Sequence, residues 1–170
     1  MREIVVLSII ATGIVGTVLL SVWYWPILPD RVASHFDAAG NADRWSSRAS
    51  LVVTHISLHL GFVGMFAVFL VLIKKLPASM INIPNREYWL SGSRGEQTLD
   101  AIRFQLLVVA AATSVFIFLL SWLVYQASLQ DGKLSPLGFW GLMVCFVTFL
   151  IGFVFYCHRL FRLPENATED

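Results

Sequence analysis

Four uninterrupted apolar runs decide what this chain can become. Residues 4–25, 51–73, 104–125 and 137–157 form runs of 21 to 23 residues, and none contains Asp, Glu, Lys or Arg. At about 1.5 Å of rise per residue, a helix of that length crosses the roughly 30 Å hydrocarbon core of a bilayer. Strands of a membrane barrel would alternate apolar and polar residues over about ten positions, and these runs do not. The expected fold is all-α: one polytopic membrane domain over residues 1–170, with helices at about 4–25, 51–73, 104–125 and 137–157, an outer loop at 26–50 and a cytoplasmic loop at 74–103. With 14% charged residues and a mean hydropathy of +0.72, no stretch of ordinary size is left for a separate soluble catalytic domain. The first run outlasts a secretory h-region and ends at Trp25-Pro26 without a small-x-small cleavage site, so it is expected to stay as a signal anchor.

Four crossings put both termini and residues 74–103 on one side. That side carries Arg2, Lys74, Lys75, Arg86, Arg94, Arg103, Arg159 and Arg162, against Arg31, Arg44, Arg48 and Lys133 on the other. The positive-inside bias predicts that both termini are cytoplasmic. Trp23, Trp25, Trp45, Trp122 and Trp140 then fall near the outer interface, where amphipathic rings are favoured. A net charge of +1 leaves no basic surplus for nucleic acid. Cys145 and Cys157 are twelve residues apart in one helix, about 18 Å, beyond disulfide reach. Asn166-Ala167-Thr168 matches a glycosylation triplet but falls in a cytoplasmic tail on this topology.

The outer loop is the most informative segment. Pro26 and Pro29 end the first helix, because proline lacks an amide donor and crowds the preceding turn. Gly40-Asn41 signals a turn, and Asp43 is expected to accept from nearby amides in an Asx turn. His35 and Asp37 share a face if the stretch is extended. Asp30, Asp37 and Asp43 balance Arg31, Arg44 and Arg48, which predicts internal pairing and a loop ordered against the helix ends. Pro29-Asp30-Arg31, His35-Phe36-Asp37, Gly40-Asn41 and Asp43-Arg44-Trp45, directly after a first membrane helix, resemble the bacterial domain of unknown function 1648 (DUF1648). That domain also fronts proteins similar to the SdpI immunity protein, which protects a producer cell from a secreted peptide toxin. The resemblance implies a small helical protein of the bacterial cytoplasmic (inner) membrane with links to immunity and signalling.

A second candidate lies inside the bilayer. His55 and His59 sit at i and i+4 on one face of the second helix, about 6 and 12 Å from its outer end. Intramembrane histidine is a functional candidate by default. With His35 or Asp37 folded over them, His55 and His59 would offer ligands for zinc or another transition metal. The favoured alternative is neutral imidazoles hydrogen-bonded to hydroxyls or backbone across helices, with no metal or other cofactor. The pair lacks the glutamate of a zinc protease, and no nucleophile elbow is present, so no enzymatic activity is expected.

On the cytoplasmic side, Met80, Ile81, Ile83, Tyr88 and Trp89 suit a segment lying along the membrane, and Ser93 and Glu96 have capping-box spacing, which starts the third helix well before the bilayer. Ser8, Thr12 and Gly16 form a small-residue stripe that lets another backbone approach the first helix. The expected function is a non-enzymatic envelope protein that binds a secreted peptide or a partner membrane protein at its outer face, or self-associates, in immunity, sensing or complex assembly. Metal binding at His35, His55 and His59 is the alternative. Solute or ion transport ranks third, because no acidic or basic residue lies within a span.

Overall fold

The computed structural model describes residues 1–164, so the 166–168 triplet lies outside the described residues. In order, the chain forms α1 (Arg2–Tyr24), β1 (Arg31–Phe36), β2 (Ala42–Ser47), α2 (Arg48–Leu72), a 3-10 turn at Ala78–Met80, α3 (Arg86–Trp89), α4 (Arg94–Leu129) and α5 (Pro136–Leu160). Four of these helices, α1, α2, α4 and α5, are long and apolar enough to cross a membrane, as expected of a multi-pass membrane protein. The 26–50 segment carries more structure than a loop, since β1 and β2 pair as an antiparallel hairpin.

Helix ends follow local chemistry. Ser47 caps α2 by accepting from the Ser50 amide at 3.1 Å, and Ser135 caps α5 by accepting from Gly138 at 3.2 Å with Pro136 in the first turn. The 36 residues of α4 rise about 54 Å, so its first turns project past the apolar span, as anticipated. The capping box does not form, because Ser93 makes no side-chain cap bond. Thr98 instead donates to the Trp89 carbonyl at 2.8 Å, and Arg94 donates to the Tyr88 carbonyl at 3.0 Å. The segment before α4 also folds inward. Ile81 is buried, and the Trp89 indole donates to the Phe161 carbonyl at 2.8 Å, closing this end of the bundle.

The core is built from α1, α2 and α4. On α1 the buried positions are Ile10, Gly13, Thr17, Ser21 and Tyr24, which recur at helical spacing on one face. They meet Leu107, Ala110, Ala111, Ser114, Ile117 and Tyr125, also buried, from α4. A Cβ on Gly13 would collide with the Ser114 hydroxyl, so the two backbones approach closely only because residue 13 has no side chain. The row of small residues that meets α4 lies one position from Ser8, Thr12 and Gly16, of which Ser8 and Thr12 are exposed and Gly16 is half-buried beside Phe118. The helix α5 stands on the flank of α4, with Phe146 stacked on Phe116 at 4.3 Å and none of its own residues buried. Two apolar clusters result: Tyr24, Leu28, Val32, Leu51 and Tyr125 at the hairpin end, and Ile10, Leu107, Ala110 and Ala111 nearer the other.

Candidate functional site

The hairpin is clamped at three places. At its base Arg48 bridges Asp30 at 3.2 Å, donates to the Leu28 carbonyl at 3.3 Å and lies over the Trp25 ring, 5.1 Å from its centroid. At its tip Asp37 accepts from the Ala39 and Asn41 amides at 2.9 and 2.8 Å, so the Asx turn belongs to Asp37 and not to Asp43 as expected. These bonds, the Asn41 amide foremost, hold the Asp37 carboxyl below the usual carboxylate range. Asp43 pairs with His35 at 2.6 Å, and no ion pair is formed by Arg31 or Arg44 among the described residues.

The third clamp joins the hairpin to the turn between α4 and α5. Ala42 donates to the Gly132 carbonyl at 2.9 Å, and Leu134 donates to the Gly40 carbonyl at 2.8 Å. Gly40 has φ of 86°, and a Cβ there would run into the Leu134 carbonyl, so glycine is required twice over. Trp45 covers Gly132 in turn, while Val32 and Ala33 are fully buried. Segment 26–50 is therefore held against the helix ends, as its prolines and turn signal suggest, while of the Asp–Arg pairs expected within it Asp30 with Arg48 is the one that forms among the described residues.

Beneath the hairpin lies a cleft of about 570 Å³, in the range of ligand pockets. Its rim carries Ser34, His35, Phe36 and Asp37, and its deeper wall includes Leu51, His55, Ile117 and Phe139. Polar groups around an apolar floor are the usual chemistry of a specific binding site. Sequence reasoning placed His35, Phe36, Asp37 and His55 as candidates, and the structure brings these four to one cavity. Pro29, Asp30, Arg31, Gly40, Asn41, Asp43 and Trp45 are not among the residues that line it, and the clamps above account for Asp30, Gly40, Asn41, Asp43 and Trp45.

His59 is not part of the cleft. It is fully buried between α1 and α4, with Nδ1 2.8 Å from Thr17 Oγ1 and Nε2 2.7 Å from Ser114 Oγ. The direction of these bonds follows from the neighbours. The Ser114 hydroxyl lies 3.3 Å from the Ile10 carbonyl, and with its proton directed there it accepts from His59, an arrangement that assigns the proton to Nε2. Thr17 then donates to the bare Nδ1. The same logic orders the adjacent pair: Ser21 donates to the Thr17 carbonyl at 2.7 Å, so the Tyr125 hydroxyl donates to Ser21 at 2.9 Å. Tyr125 stacks on Tyr24 at 5.2 Å, and Gln126 donates to the Tyr24 hydroxyl at 2.7 Å.

Both ring nitrogens of His59 are thereby spent on hydroxyls, the cross-helix arrangement anticipated for both histidines, whereas His55 departs from it, its buried Nδ1 having no hydrogen-bond partner among the described residues. A metal set of His35, Asp37, His55 and His59 is not assembled, and among the described residues no group of three His, Cys, Asp or Glu side chains is placed to hold an ion. Thr17, Ser21, Ser114 and Tyr125 escaped sequence reasoning. Their trace is hydroxyl residues at helical spacing inside apolar runs, Thr17 and Ser21 on α1 and Ser114, Ser121 and Tyr125 on α4. Neither a curated protein nor a solved structure matches the chain. Residues 12–56, running from the middle of α1 through the whole hairpin to just past His55, match the family model described as a domain of unknown function (DUF1648).

Proposed function

We propose that the chain is a non-enzymatic protein of the bacterial inner membrane, with both termini cytoplasmic, whose hairpin end faces outward and binds a peptide or a partner membrane protein. The observation that carries this reading is the cleft under the hairpin: a roof held at base, tip and flank over an apolar floor, with His35, Asp37 and His55 on its walls. A roof fixed in advance lowers the ordering cost of binding, which suits recognition. Orientation is supported by the eight basic residues at the opposite end against four at this one. Resemblance to the SdpI immunity group favours a secreted peptide as ligand and an immunity or sensing role.

The test is in-cell photo-crosslinking from a photoreactive residue at Ser46, on the cleft wall, against one at Val144, exposed on α5. Adducts with a peptide or envelope protein are expected from position 46 and not from position 144. Equal adducts at both, or none at position 46, would overturn the reading.

A further inference from the structure

The cleft beneath the hairpin has a closed side and an open one. Residues of both strands roof it towards water, and the roof is tied to α5, where the Trp140 indole donates to the Ala38 carbonyl at 3.4 Å, as well as to the turn before α5. Below the roof the cleft runs down into the membrane span. Leu58 stands seven residues below Leu51 on α2, and Ile117 eight below Tyr125 on α4. The floor thus descends about 10 to 12 Å, most of one leaflet's share of a roughly 30 Å core. At that depth the walls come from α2 and α4, since Phe139, in the first turn of α5, is the one residue of α5 among the described residues that line the cleft. Thr54 and Leu58 line the cleft and are also exposed, and exposure inside an apolar span is exposure to lipid. The cleft therefore opens sideways, between α2 and α5, into the leaflet on the hairpin side.

Its chemistry centres on His55. The ring lines the cleft 5.1 Å from Tyr125, and its Nδ1 is sealed without a hydrogen-bond partner. A sealed, unpartnered N–H is costlier than a sealed lone pair, which assigns the proton to Nε2, the nitrogen on the cleft side. Hydrocarbon offers that N–H no acceptor, so an acceptor carried in by a ligand is stabilising there. Among the described residues no Lys or Arg lines the cleft, and His35 on its rim is engaged by Asp43. A ligand carboxylate would be desolvated against apolar walls and repelled by Asp37, the one carboxylate of the lining.

Resting on the reading of the cleft as a peptide site, we infer that its occupant is an apolar peptide segment without acidic side chains, already dissolved in the leaflet on the hairpin side, which enters sideways between α2 and α5 and accepts from His55 Nε2–H. Depth agrees with this occupant. A peptide lying in the interface sinks its apolar face about 5 to 10 Å, and His55 and Leu58 stand about 6 and 10 Å below Leu51 along α2.

Two pools of random photoreactive peptides, one uncharged and one containing Asp and Glu, are each premixed with the lipid of nanodiscs holding the full chain. The uncharged pool is expected to label residues 51–58 and 117–124 at least about tenfold more than the acidic pool. His55→Ala lowers that labelling about tenfold, and His55→Gln, which keeps an N–H donor, recovers part of it. The route is read separately, from a nitroxide on Leu120→Cys, in the cleft wall, with Cys145 and Cys157 replaced by alanine. Oxygen dissolved in the bilayer should relax it, and a water-soluble nickel chelate should not. Relaxation by the chelate overturns entry from the membrane, while adducts from position 46 still support the cleft. Equal labelling by the two pools overturns the assigned ligand class. Labelling by the uncharged pool no stronger than at Val144 overturns the occupant, since the cleft then takes lipid alone. Loss of the position 46 adducts overturns the cleft reading itself.

Discussion

The wiring of His59 makes an unequal prediction for two conservative substitutions. Thr17→Val removes the donor to Nδ1 and leaves an unpartnered lone pair, while Ser114→Ala removes the acceptor from Nε2–H and leaves an unpartnered proton. Interhelical side-chain bonds in membranes average about 0.6 kcal/mol with a maximum of about 1.7, and an unsatisfied buried group costs about 1 to 3. Thr17→Val should therefore cost about 1 kcal/mol and Ser114→Ala about 2, since an orphaned N–H is the worse case. Replacing all three partners together, Thr17→Val with His59→Leu and Ser114→Ala, removes the polar groups as a set and should cost less than the two single changes summed. Reversible unfolding by SDS in mixed micelles, followed by far-ultraviolet circular dichroism, measures the series. Nitrogen-15 chemical shifts of the His59 ring report the tautomer directly. A proton on Nδ1, or a Thr17→Val variant at least as costly as Ser114→Ala, would refute the assigned directions.

Three further outcomes are expected. Gly40→Ala forces a side chain onto φ of 86° and into the Leu134 carbonyl, which should cost more than about 1 kcal/mol and speed proteolysis between residues 30 and 48. Because the folded-state pKa of Asp37 is depressed, its contribution to the hairpin tip is fully present above the unfolded value of about 3.9 and lost as pH falls through the lower folded value. Amide exchange at Ala39 and Asn41, corrected for its intrinsic pH dependence, should lose protection in that acidic window and not between pH 5 and 8. In a background with Cys145 and Cys157 replaced by alanine, single cysteines at Ser47 and Gln130 should react with an impermeant thiol reagent from outside, and one at Ser93 should not; the reverse pattern would invert the orientation.

What the sequence discloses is the part governed by one-dimensional rules. Apolar length alone locates four helices to within a few residues, except at the start of α4, whose polar first turns carry it back to Arg94. The hairpin is harder to see, because Ser34, His35, Arg44 and Ser46 sit in strands of only six residues and the bulge breaks their alternation. Its stabilising partner, the turn at 132–134, is also far away in sequence. His59 shows the same limit. Its two hydroxyl partners are 42 and 55 residues distant, and nothing local to α2 singles them out from other serines and threonines. On α1, Ser8, Thr12 and Gly16 repeat every four residues just as Gly13, Thr17 and Ser21 do, and only the position of α4 shows which of the two rows it packs against.

The bonds from Gly40 and Ala42 to Leu134 and Gly132 set an order of events during synthesis. A ribosome working at roughly 5 to 20 residues per second needs roughly 5 to 18 s to travel the distance between the two partners. Once residue 72 has been made the first two spans and the matched segment 12–56 exist, but the strand pair still lacks its flank support and the cavity under it lacks the wall supplied by α4 and Phe139. The cavity is thus incomplete until the last helical pair has threaded, and an interrupted product ending before residue 132 would occupy the membrane without it.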